Sequence, residues 1–148
     1  MNILITGGSR GLGLEYAKYL AKKGYNIGIT DISKKACTIY EEADSIESII
    51  NNLEKNNIQA WFYPADLTNQ EETEEMVKEF ISKFGVINGI ITNAGGDIAG
   101  RGKNAEGGKA ENNSFFIDKL EHENIFDRNY YTCFNTLKAV IPYMKKQG

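Results

Sequence analysis

The chain is short of the residues that mark several common functions. Its 148 residues include one histidine, His122, and two cysteines, Cys37 and Cys133, which are far apart and lack C-x-x-C or metal spacing. A zinc site draws on about four clustered ligands, so none is expected, and His122 reads as a surface residue. Two isolated thiols exclude a disulfide framework and suit a reducing, cytoplasmic setting. No apolar run approaches the roughly 18 residues of a membrane span. Met1 leads directly into a strand pattern, so no signal peptide is expected. Cationic excess is missing too. Seventeen Lys and Arg against 20 Asp and Glu leave a net charge of −3, which argues against nucleic acid or an anionic membrane as the main partner.

What the chain does have is glycine, 15 residues of it, much of it punctuating apolar runs. Residues 2–6 read as a strand. A helix over 11–23 follows, with Leu12, Tyr16, Tyr19 and Leu20 spaced for one buried face and Gly24 as its stop. A second strand is expected over 25–30, and a short helix or turn over 33–42. Next comes a helix capped by Asp44, with Glu47 reaching back and Ile46, Ile49, Ile50 and Leu53 as its stripe. The third strand, 59–63, closes at Pro64. Thr68-Asn69-Gln70-Glu71 has capping-box form and opens a helix that buries Met76, Val77, Phe80, Ile81 and Phe84 before Gly85. A fourth strand is expected over 86–92. Residues 95–114 form a glycine-rich loop, either a lid or a surface insertion, and a last helix runs over 118–146, with Pro142 removing one backbone hydrogen bond. Such alternation within a single domain, 1–148, predicts a parallel sheet covered on both faces.

The first strand runs straight into Thr6-Gly7-Gly8-Ser9-Arg10-Gly11-Leu12-Gly13. Glycines permit positive φ and close backbone approach, and a helix start presents N–H groups and a positive dipole end to a phosphate. Asp31 ends the second strand about 20 residues past these glycines, near the offset of an acid that binds a ribose 2′-hydroxyl. A carboxylate there repels a 2′-phosphate, which favours NAD over NADP. Arg10, Lys34 and Lys35 push the other way, from longer range. Asp66-Leu67 after the third strand and Asn93-Ala94-Gly95 after the fourth border the same crevice in a doubly wound sheet.

These residues carry a resemblance. Thr6 to Gly13 is similar to the TGxxxGxG motif of the short-chain dehydrogenase/reductase family. Asp66-Leu67 resembles the family's adenine contact, and Thr92-Asn93-Ala94-Gly95 its NNAG motif, with Thr92 for the first Asn. Asn129 resembles the helix Asn of its active-site relay, and on residue grounds alone Asn129 is equally a helix-bending group that bonds backbone. The resemblance implies an α/β Rossmann-type sheet of order 3-2-1-4 and a nicotinamide dinucleotide held by Gly7, Ser9, Arg10, Gly11, Leu12, Gly13, Asp31, Asp66, Leu67, Asn93, Ala94 and Gly95. It also implies hydride transfer between that cofactor and a small alcohol or carbonyl substrate.

The family's proton-transferring Tyr, its Lys four residues on and an upstream Ser would fall beyond Gly148. Tyr19 and Lys23 have the Y-x-x-x-K spacing but belong to the first helix. The 148 residues alone are therefore expected to be inactive. Two alternatives are a non-catalytic nucleotide-binding or interaction module and one half of a split enzyme. An apolar side on the last helix, built on Tyr130, Phe134, Leu137 and Ile141, is expected to be covered either by the remainder of a longer polypeptide or by a second chain, the latter giving a homo-oligomer through this helix.

Overall fold

Among the described residues β-branched and aromatic runs form four strands, and the amphipathic stretches between them form helices. The computed structural model describes residues 1–38, 43–96 and 119–148. The elements are β1 (Asn2–Thr6), α1 (Gly11–Lys22), β2 (Asn26–Asp31), α2 (Ile46–Glu54), β3 (Ala60–Pro64), α3 (Gln70–Phe84), β4 (Gly89–Thr92), α4 (Lys119–Phe126) and α5 (Thr132–Gln147). A 3-10 turn covers Lys34–Thr38, and a π-helical turn, Asp127–Tyr131, joins α4 to α5.

All strand pairs are parallel, in the order β3-β2-β1-β4. This is the Rossmann-type arrangement the motifs imply. The register aligns Thr6 with Thr30 and Thr92, and Thr30 with Tyr63. The four strands therefore end together, and every segment with a candidate ligand residue leaves from that one edge.

Alternation along the strands divides the core. Ile5, Ile27 and Ile29 pack with Leu14, Ala17 and Ala21 of α1 and with Ile46, Ile49 and Leu53 of α2. Leu4 faces the other way, toward Met76, Val77 and Phe80 of α3 and Ala139 and Val140 of α5. Gly28 makes room for this second layer, since a Cβ there would meet the Phe80 ring at 2.5 Å. Phe80 meets Trp61 edge-on, at 5.9 Å between ring centroids.

The structure corrects several local expectations. The buried face of α1 is Gly13, Leu14, Ala17 and Ala21. Leu12, Tyr16 and Tyr19 are exposed, because small residues let the helix lie close to the sheet and its aromatics point outward. Ser45, one residue past Asp44, caps α2 by accepting from the Ser48 N–H at 3.1 Å. Asn69, one residue past Thr68, caps α3 through the N–H groups of Glu71 and Glu72. β4 is shorter than expected, beginning at Gly89. The expected last helix is divided by the π turn, and its first residue, Asp118, lies outside the described residues, as do 39–42 of the 33–42 segment and 97–114 of the glycine-rich loop.

Asparagine and glutamine side chains hold the opposite edge. Asn2 Nδ2 donates to the carbonyls of Phe84 and Val86, and Asn26 Nδ2 donates to Asn2 Oδ1. The Gln147 amide pairs with both backbone groups of Ile87, at 3.0 and 2.8 Å, in the manner of a neighbouring strand. Among the described residues no helix is long and apolar enough to cross a membrane, and no cluster of ligating side chains could hold a metal. Both cysteines are free; Cys37 is buried, and burial pushes its thiol pKa up.

Candidate functional site

The turn after β1 is built by contacts that only glycine allows. Gly7 and Gly11 have φ of +60° and +52°, in the left-handed region. A Cβ on Gly7 would meet the Ala94 Cα at 2.9 Å, and one on Gly13 would meet the Gly7 carbonyl oxygen at 2.1 Å. The turn thus folds tightly over the first turn of α1 and against the end of β4. A Cβ on Gly11 would meet nothing within 4 Å, so this glycine borders open space. The helix starts also differ. Ser45 and Asn69 cap α2 and α3 with side-chain oxygens, whereas no side-chain hydrogen bond caps α1 at Arg10. An anion at that position would face the positive dipole end of α1.

The strand ends are laced to this turn. Thr6 Oγ1 accepts from the N–H groups of Asn93 and Ala94, both at 3.1 Å, and Asn93 Nδ2 donates to the Gly7 carbonyl at 3.1 Å. On the other side the Gly8 N–H donates to the Thr30 carbonyl at 3.1 Å. Ser9 is fully buried, and its hydroxyl donates to Asp31 Oδ2 at 2.5 Å. The second oxygen of Asp31 accepts from the Ile32 N–H at 2.9 Å. Of the cations expected to oppose Asp31, Lys34 reaches Glu47 at 3.5 Å. The Glu47 carboxyl lies below its usual range through its backbone hydrogen bond and the nearby Lys34.

The Asp66–Leu67 segment is also organised locally. Asp66 Oδ1 accepts from the Thr68 N–H and hydroxyl, and the Asp66 N–H donates to Glu72. Leu67 is buried among the residues of the α3–α5 layer, so any contact it makes with a ligand runs through its backbone.

One helical run ties these segments together. Asn129, in the π turn, accepts from the Gly96 N–H at 3.0 Å and donates to the carbonyls of Gly96 and Ile125. Its amide is engaged with backbone, the helix-bending arrangement open to it from sequence. A Cβ on Gly95 would meet Asn129 Oδ1 at 2.5 Å, which places Gly95 directly beneath the amide. The Thr132 hydroxyl donates to the Arg128 carbonyl at 2.6 Å and lies 3.3 Å from the Ala94 carbonyl. Asn135, buried in α5, donates to the carbonyls of Leu67 and Thr68 at 3.0 and 3.1 Å.

Thr132 and Asn135 were not among the residues singled out from sequence, and Thr6 was named there only as the first residue of the glycine motif. A polar residue inside the apolar face of a helix is the one signal that could have found Asn135. Asn135→Leu is expected to destabilise the fold by about 2 kcal/mol, because two carbonyls lose their buried donor. Urea unfolding measures it, and an unchanged midpoint would remove the clamp.

Residues 1–148 match the family model described as short chain dehydrogenase. The 3-oxoacyl-(acyl-carrier-protein) reductase FabG of Staphylococcus epidermidis is 27% identical over 144 residues, covering 97% of this chain and 51% of that protein. A cyclohexanol dehydrogenase of a Rhodococcus species is 27% identical over 147 residues, covering 97% and 52%. The chain thus spans about half the length of the curated relatives it matches. Among solved structures, an NAD+-bound xylitol dehydrogenase superposes with a TM-score of 0.78 at 23% identity, over 99% of this chain and 48% of that one. An NADH-dependent reductase, A1-R', in complex with NAD superposes with a TM-score of 0.77 at 25% identity, over 99% and 52%. Glycine turn, sheet order and family match agree over the whole sequence: the chain belongs to the short-chain dehydrogenase family.

Proposed function

We propose that residues 1–148 form the dinucleotide-binding part of an oxidoreductase that moves a hydride between NAD and a small alcohol or carbonyl substrate. The observation that carries this reading is the crevice edge. The turn at Gly7–Gly13 packs against β4 on one side and is bonded to Asp31 on the other. The residues fit the group: the positive dipole end at the start of α1 suits the pyrophosphate, Asp31 the unphosphorylated ribose, and the Asp66–Leu67 backbone the adenine. Gly7, Arg10, Gly11, Leu12 and Gly13 would surround the phosphates, Ser9 contributing backbone only because its hydroxyl is bonded to Asp31, with Asn93, Ala94 and Gly95 on the β4 side.

When bound, the nicotinamide ring supplies or accepts the hydride. Asn129 would support the proton relay to Tyr and Lys residues supplied by sequence beyond residue 148. Without those groups the 148 residues bind and do not turn over. A phenol with a pKa near 10 needs an adjacent cation to move protons near neutrality, and among the described residues the Y-x-x-x-K pair, Tyr19 and Lys23, lies at the end of α1 remote from the glycine turn. The setting that suits this reading is cytoplasmic.

The exposed aromatic row on α4–α5 supports pairing of two copies. Phe126, Tyr130 and Phe134 stack in sequence, with centroids 4.9 and 5.7 Å apart, and Leu137 and Ile141 continue the exposed face. Phe134→Glu is expected to turn a dimer into a monomer in light scattering. A wild-type monomer would remove this part of the reading.

Calorimetric titration with NAD+ tests the central claim. Binding with Kd below ~1 mM is expected, and no heat at millimolar cofactor would defeat it.

A further inference from the structure

Ser9 stands in the glycine turn, where a serine would be read as a phosphate contact. Its surroundings say otherwise. The side chain is fully buried, and its one proton points to Asp31 Oδ2 at 2.5 Å. A hydroxyl so engaged is not a donor to a phosphate. The turn around it is pressed onto β2: the Gly8 N–H bonds the Thr30 carbonyl, and a Cβ on Gly8 would strike the Ile29 side chain at 2.7 Å. Ser9 therefore cannot swing out toward solvent without lifting the turn. Asp31 itself is half-buried at the end of β2, and with the Ile32 N–H on its other oxygen it is gripped at both ends.

We propose that Ser9 is a positioning residue for cofactor choice: by holding the Asp31 carboxylate in one orientation it sets the preference for an unphosphorylated ribose over a 2′-phosphate. The inference rests on the dinucleotide reading above and adds to it the group that makes Asp31 selective. A carboxylate held at one place accepts from the ribose hydroxyl and repels a phosphate at the same point. A carboxylate released from Ser9 rotates toward solvent, where water screens it, and both effects weaken together.

The test compares ADP-ribose with 2′-phospho-ADP-ribose, each titrated into the chain by calorimetry, so that no nicotinamide contact enters. Ser9→Ala is expected to narrow the ratio of the two affinities by about tenfold. Ser9→Thr, which keeps the hydroxyl, is expected to restore it. In an Asp31→Asn background Ser9→Ala is expected to leave the ratio where Asp31→Asn put it. An equal loss of both ligands in Ser9→Ala would overturn the proposal, since that is what a turn-stabilising role gives. The same shift in the Asp31→Asn background would also overturn it. Failure of the unmutated chain to bind either ligand would instead defeat the dinucleotide reading itself.

Discussion

Replacing Asp31 with alanine is expected to weaken NAD+ about tenfold and strengthen NADP+ about tenfold, so that a clear preference closes by roughly two orders of magnitude. The first change follows from losing a hydrogen bond to a charged acceptor, worth about 1.5–3 kcal/mol. The second follows from removing a like charge beside the 2′-phosphate, worth about 1 kcal/mol at a solvated edge. Alanine also leaves the buried Ser9 hydroxyl without its acceptor, so about 1–2 kcal/mol of fold stability should go with it. Fluorescence or calorimetric titration with both cofactors separates these effects, because the stability cost lowers both affinities alike. Tighter binding of NADP+ than NAD+ by the unmutated chain would refute the assignment of Asp31.

Gly13→Ala should do more damage than any other single-methyl change in the turn. Its Cβ would sit 2.1 Å from the Gly7 carbonyl oxygen and 2.8 Å from Asn93 Nδ2. The first neighbour is backbone, so relief comes only by opening the turn, which breaks its bond to Asn93 and misaligns the start of α1. Overpacking of this kind costs about 1–3 kcal/mol, and dinucleotide affinity should fall on the order of a hundredfold if most of that strain acts on the bound geometry. Gly11→Ala is the control. It meets nothing within 4 Å and carries only the left-handed backbone penalty of about 1–2 kcal/mol. Equal losses from the two substitutions would mean that conformational strain, and not the packing of turn on helix, matters at this site.

The contrast between these glycines shows what was legible in the sequence. The strand–turn–helix pattern located the turn, because it is local, and the apolar run before Asp31 put that residue at the end of β2. The buried face of α1 was misread for an equally physical reason. Periodicity picked out the large residues Leu12, Tyr16 and Tyr19, but close helix–sheet packing favours the small ones, Gly13, Ala17 and Ala21. The caps shifted by a single residue, since several adjacent polar side chains could each serve and only backbone geometry chooses among them. The π turn at Asn129 escaped because apolar spacing carries through it.

By itself the sequence determined the order and type of most elements, the parallel sheet and the glycine turn after β1. Element type depends on neighbours within a few residues, where steric preference and apolar period act directly, and the alternation of strand with helix carries the parallel sheet. Tertiary structure alone decided the partners: Ser9 with Asp31, Asn129 with Gly96, and Asn135 with Leu67 and Thr68. Those pairs lie far apart along the chain, and a buried polar side chain finds its acceptor only after packed layers have brought the two segments together and excluded water from between them.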